Sequence, residues 1–173
     1  MVRILAAAMM MSAVGTRLLA CDAVLPDHVR ILDCRLTAAV ASAAGRSSTL
    51  NDLLQRVQRS DGVVYITAPP PTGPATQLLG GFSHDVSVAG SNRVLRIFVS
   101  GKVDDSRVAI VGHELRHALE VLELSSARNE AEVEALYDHL GWRTSAHTVE
   151  TQEALDAGTA ISRELRAARI THK

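Results

Sequence analysis

Apolar residues recur every three or four positions over some stretches of the chain and alternate over others, and the two periods separate predicted helices from predicted strands. Leu50, Leu53, Leu54 and Val57 form one face of a helix that Thr49 is placed to cap, and an earlier helix is predicted around 36–44. Val63-Val64-Tyr65-Ile66-Thr67 is short and rich in β-branched residues, so it reads as a strand, closed by an exposed proline loop over 68–74. Segments 82–88 and 93–99 flank Ala89-Gly90-Ser91-Asn92, a turn signal, and predict a hairpin. Three strands then precede residue 104.

Asp104 or Asp105 can cap the next helix, expected over about 106–124 with no proline inside it. On it Val108, Val111, Leu115, Ala118 and Leu122 make an apolar stripe, while His113, His117 and Glu120 cluster on the opposite side, toward a cleft. Gly112 costs such a helix about 1 kcal/mol relative to Ala, so its presence predicts close packing just before His113. Asn129 is placed to cap a helix through Val133, Leu136, Tyr137 and Leu140 that stops at Gly141. The last helix begins near Thr148 or Thr151, runs to about Arg169, and shows a face of mainly small residues, Ala154, Ala157, Gly158 and Ile161, suited to close helix contact. The order predicts an α+β domain, a short mixed or antiparallel sheet packed on the 106–124 helix with further helices C-terminal to it.

At 173 residues and 47% hydrophobic content, the chain suits one compact domain. A net charge of −1 without a basic run, and only 3% aromatics, argue against a nucleic-acid partner. Sixteen Arg against two Lys, with abundant Ala, fit GC-rich bacterial coding. Arg3, the apolar run Ile4 to Val14 and the break at Gly15 read as an export signal over 1–20, leaving 21–173 as the domain. Eleven apolar residues are too few to span a bilayer, and no other transmembrane segment is expected. Cleavage is open between a site after Gly15 and one before Cys21, where Leu18-Leu19-Ala20-Cys21 resembles a bacterial lipoprotein box and would carry a lipid anchor. Without a lipid, Cys21 can pair with Cys34 in an oxidising compartment. The expected location is periplasmic, secreted or lipoprotein.

His113-Glu114-Leu115-Arg116-His117 carries the chemistry. A chain of this composition shows H-E-x-x-H by chance roughly once in seventy. Histidines four apart on a helix differ by about 40° in direction, so two imidazoles can converge on one ion, with Glu114 beside it as general base toward zinc-activated water. The competing reading is a solvated helix face, which the opposed core stripe disfavours.

The pattern and its place after the strands resemble the zincin superfamily of metallopeptidases, in a minimal gluzincin form covering mainly 62–168. The resemblance implies zinc ligands at His113 and His117, a catalytic base at Glu114, a third ligand from a glutamate on a later helix, and a peptide or protein substrate. It also implies that the strand nearest the cleft binds the substrate backbone, with 93–99 as candidate. Val111 to Glu120, followed by Glu150-Thr151-Gln152-Glu153-Ala154 and Gly158, resembles more closely a group of exported bacterial zincin-like proteins of unknown function, which gives weight to Glu120 and Glu150.

For the third ligand, Glu120 lies about 10 Å along the helix from His113, which suits support of His117 better than ligation. Asn129-Glu130-Ala131 with Glu134 resembles the thermolysin-like third-ligand segment, making Glu130 the alternative. Glu150 is the choice, since it opens a helix with a small-residue face. Tyr137 is read as core rather than cleft, His84, His139 and His147 as non-ligands, and Trp142 as a cover for the core edge. Asp33 has no evident partner. The leading function is an exported zinc metallopeptidase; the alternative is a non-catalytic zincin-fold binding or envelope protein with structural metal or none.

Overall fold

Each helix starts where a short polar side chain accepts the amide protons left free in a first turn. In the computed structural model, which describes residues 21, 23–69, 79–145 and 148–171, Asp33 caps α1 (Cys34–Ala44) and Ser47 caps α2 (Ser48–Arg59). Asp104 caps α3 (Asp105–Glu123), Asn129 caps α4 (Glu130–Leu140), and Thr151 Oγ1 accepts the Ala154 amide at the start of α5 (Gln152–Thr171). Asp33 thus finds its partners in the amides of Arg35 and Leu36. The α2 cap is Ser47 and not Thr49, because the Thr49 hydroxyl is turned to Glu164 of α5, 2.8 Å away.

The strands are β1 (Val29–Ile31), β2 (Gly62–Thr67), β3 (Gly80–Phe82), β4 (Ser87–Ala89) and β5 (Asn92–Val99). They form one mixed sheet in the order β1-β2-β5-β3, with β4 also paired to β5. β1, β2 and β5 are parallel; β3 and β4 run antiparallel to β5. The arrangement is α+β. The segment expected as one strand over 82–88 is broken: Phe82 pairs with Ile97 and Ser87 with Val94, so five steps face three and two extra residues bulge out at His84 and Asp85. β6 (Trp142–Ser145) and β7 (Thr148–Glu150) make a separate hairpin that the sequence reading did not predict, and Trp142 is half-exposed on it instead of covering the core edge.

Alternation along β5 points Arg93, Leu95, Ile97 and Val99 into the core, where α3 packs. The predicted stripe of α3 is buried, but so are Glu114, His117, Leu119, Glu120 and Val121, so the helix is interior on most sides. α5 covers the side opposite the stripe. A side chain on Gly112 would collide with Ile161 of α5, and one on Gly158 would press on His113 Cβ at 3.2 Å, so each helix supplies a glycine where the other approaches.

Cys21 and Cys34 are bridged with their Cα atoms 5.3 Å apart, tying the segment before β1 to the first residue of α1. One sulfur cannot carry both a disulfide and a lipid thioether, so the two readings of Cys21 exclude each other. The predicted export signal, most of the proline loop and His147 lie outside the described residues. Among the described residues no helix is long and apolar enough to cross a membrane.

Glu164 anchors α5 to the start of α2 by accepting from Ser47 Oγ at 2.6 Å, Thr49 Oγ1 at 2.8 Å and Thr49 N at 3.2 Å. Its carboxyl is held below the ordinary range because these hydrogen bonds outweigh the cost of desolvation. A carboxylate with a depressed pKa stabilises the fold above its unfolded value, and that stability is lost as pH falls through the folded one. Glu164→Gln is expected to cost about 0.5–1 kcal/mol at neutral pH, kept small by solvent screening. The difference from wild type in denaturant titrations should vanish in acid; an equal deficit at all pH values would assign the effect to packing.

Candidate metal centre

One turn of α3 separates His113 from His117, and their rings lie 5.0 Å apart, edge to face. Both Nε2 atoms point at one oxygen: Glu150 Oε1 is 3.4 Å from that of His113 and 3.2 Å from that of His117. The three ligand atoms lie within 4.8 Å of one another, a group that could hold a metal ion. The spacing fits the donors. Imidazole nitrogen and carboxylate oxygen bind at about 2.0–2.2 Å, which separates neighbouring ligands of a tetrahedral ion by about 3.3–3.6 Å. Glu150 is the last residue of β7, two residues before α5 begins, and not within the helix as its sequence suggested.

Hydrogen bonds to the remaining polar atoms fix this geometry. His117 Nδ1 is 3.0 Å from Glu120 Oε2, which leaves Nε2 free to face Glu150. Glu120 Oε1 accepts from Thr151 Oγ1 at 2.7 Å, the same oxygen that caps α5, while Glu150 Oε1 accepts the Thr151 amide at 2.9 Å. Thr151 therefore locks the helix bearing His117 to the residue that presents Glu150. Gly141 makes the hairpin possible, since a side chain there would clash with Val149 and with the Glu150 carbonyl, 2.7 Å away.

Burial draws His117 down, but its hydrogen bond to Glu120 and the charges of Glu114, Glu120 and Glu150 outweigh this and leave it raised. At His113 burial dominates and the pKa is lowered. Burial alone would raise Glu120, yet hydrogen bonds from His117 and Thr151 bring it below the ordinary range. Glu114, 6% exposed, is pushed up to about 7, chiefly by desolvation.

The expected site residues separate clearly. His113, Glu114, His117 and Glu150 come together, and Glu120 supports His117. Glu130 does not join them: it is exposed in the first turn of α4. The strand beside Glu114 is β3 rather than 93–99, because β5 lies inside the sheet between β2 and β3. A side chain on Gly80 of β3 would meet Ile110 and approach Glu114 Oε1 to 2.9 Å, so this glycine lets strand and helix close on one another. Tyr137 is buried and donates to the His117 carbonyl at 3.0 Å; its ring floors the cleft and stacks on His84 at 5.0 Å. His84 is not one of the three converging ligand side chains, but the bulge before β4 brings it into the lining of the cleft; His139 is exposed.

Two cavities meet at the group. One of about 280 Å³ holds Phe82, His84, Tyr137 and Glu150; the other, of about 730 Å³, lies between β3, α3 and α5. Gly80, His113 and Glu114 line both.

Glu120→Gln should weaken divalent-metal affinity by about 10–100-fold, the range for losing a partner that orients a ligating histidine. Competition with a chromophoric chelator measures this, and unchanged affinity would show that His117 needs no such support. Comparison with known protein families, curated proteins and solved structures finds no match to this chain.

Proposed function

We propose that this protein is a zinc-dependent hydrolase of the zincin type acting on peptide bonds. The observation that carries the reading is Glu114, a buried carboxylate at the junction of two cavities and next in sequence to one of three converging metal-ligand side chains. Two imidazoles and one carboxylate match the three protein ligands typical of catalytic zinc, which keeps a fourth position open. When bound, zinc supplies Lewis acidity, drawing the pKa of water toward about 7 and polarising a scissile carbonyl.

His113, His117 and Glu150 would hold the ion. Glu114 takes a proton from water on a carboxylate oxygen and passes it to the departing amine. Its desolvated setting suits this role, because a base whose proton affinity lies near the working pH transfers in both directions. β3 ends the described sheet beside the cleft, so an extended substrate backbone can add to its edge. A mixed sheet, the α3 motif and a carboxylate from a later element support the zincin reading. The Cys21–Cys34 bridge supports export to an oxidising compartment.

Purified protein should carry one zinc per chain, and His117→Ala should abolish stoichiometric zinc. Glu114→Gln should keep the metal and lose about 10²–10⁴-fold in cleavage of a peptide library. Equal cleavage by wild type and Glu114→Gln would sink the catalytic assignment, and metal without any cleavage would favour a non-catalytic binding protein.

A further inference from the structure

The larger cavity is asymmetric. Near Glu114 its walls are apolar, from Ile110, Ala109, Leu155 and Leu79, the last two exposed to solvent at 37% and 61%. Farther along α5 the lining turns cationic at Arg163 and Arg166. Neither guanidinium has an ion-pair or hydrogen-bond partner among the described residues. Their neighbours differ: Arg169 and Arg46 bind Asp105, Arg107 binds the Leu79 carbonyl, and Arg116 binds Glu123 and Glu153. Among the described residues of the lining, Glu114 is the only acidic side chain.

We infer that this cavity is a recognition subsite for a carboxylate on the substrate, which Arg163 and Arg166 receive beyond an apolar side chain seated near Glu114. The inference rests on the peptide-hydrolase reading and names its substrate class. Spacing sets where the carboxylate must lie. Gly158 packs on His113, and from there α5 rises about 8 Å to Arg163 and about 12 Å to Arg166. An extended peptide advances about 3.3 Å per residue, so the carboxylate falls roughly two to four residues from the bond being cut. Arginines three apart share one side of a helix, and their planar donor forks suit a carboxylate. A terminal carboxylate and an acidic side chain offer the same chemistry here.

The test uses the full chain as Glu114→Gln, so that binding is read without turnover. Short dye-labelled peptides built on one leucine are compared in pairs: Glu against Gln two to four residues from the leucine, and a C-terminal acid against its amide. Fluorescence anisotropy should show about five- to tenfold tighter binding for the carboxylate member of at least one pair, with the difference shrinking as salt rises. The pair that responds identifies the source. Combined Arg163→Glu and Arg166→Glu should invert the preference toward Lys-bearing peptides, which a merely unfolded variant could not do. Equal binding within every pair, or a carboxylate preference that survives charge reversal, would overturn the inference. Wild-type digestion separates the two readings: a binding preference without cleavage keeps the subsite and removes the hydrolase, while cleavage indifferent to the carboxylate does the reverse.

Discussion

A buried guanidinium fixes the end of the helix on which the site is built. Arg93 of β5, 2% exposed, pairs with Asp61 just before β2 and donates to the carbonyls of Val121, Leu122, Leu124 and Ala127, at and beyond the C-terminus of α3. In the exit turn the carbonyls of Val121 and Leu124 also accept the amides of Leu124 and Ala127, while the last carbonyls of a helix lack intrahelical partners and an unpaired charge at this depth would cost several kcal/mol. The cap and the charge therefore satisfy each other. At the opposite end, Arg107 of α3 donates to the Leu79 carbonyl at 2.6 Å, immediately before β3. One arginine sets α3 against the centre of the sheet, and the other sets it against the strand that lines the cleft.

With α3 held at both ends, the geometry of His113 and His117 depends on what packs across them. α5 comes close because glycine stands at two of the contacts, Gly112 facing Ile161 and Gly158 facing His113. The same approach delivers Thr151 to Glu120 and Glu150 to the two imidazoles. Backbone packing and polar contacts thus determine one arrangement together. Shifting α5 along α3 by one residue would move it about 1.5 Å, enough to break the contact from Thr151 to Glu120 and the convergence on Glu150.

Much of this was legible because it is local. The long uninterrupted period, the cap at Asp104 and the small-residue face of the last helix identify α3 and its neighbour without tertiary knowledge. What stayed hidden depends on distant partners. Thr49 looks like a cap until Glu164, more than a hundred residues later, claims its hydroxyl. Gly80-Gly81 has poor strand propensity, and its value lies in the space it leaves for Ile110 and Glu114. His84 enters the cleft through a bulge whose existence depends on the register with β5. Glu150 and Glu130 are both acidic residues beside helix starts; the hairpin from Trp142 to Glu150 separates them, and no periodicity announces so short a pair of strands.

That hairpin also explains why one helix can serve two chemistries in the proposed hydrolase. Gly141 turns the chain back so that β7 ends at the metal group, and α5 must then leave from that point. Thr151, just before its first turn, is committed to Glu120 and Glu150, and Gly158 in its second turn packs on His113. Only later turns are free of the ligand set, and there the lining of the larger cavity changes from apolar to cationic. The helix thus follows directly on the strand that ends in Glu150 and carries the proposed substrate-facing stretch in fixed register with it. A substrate held along α5 would be aligned with Glu114 by the same contacts that assemble the ligand group, without a separate loop having to close.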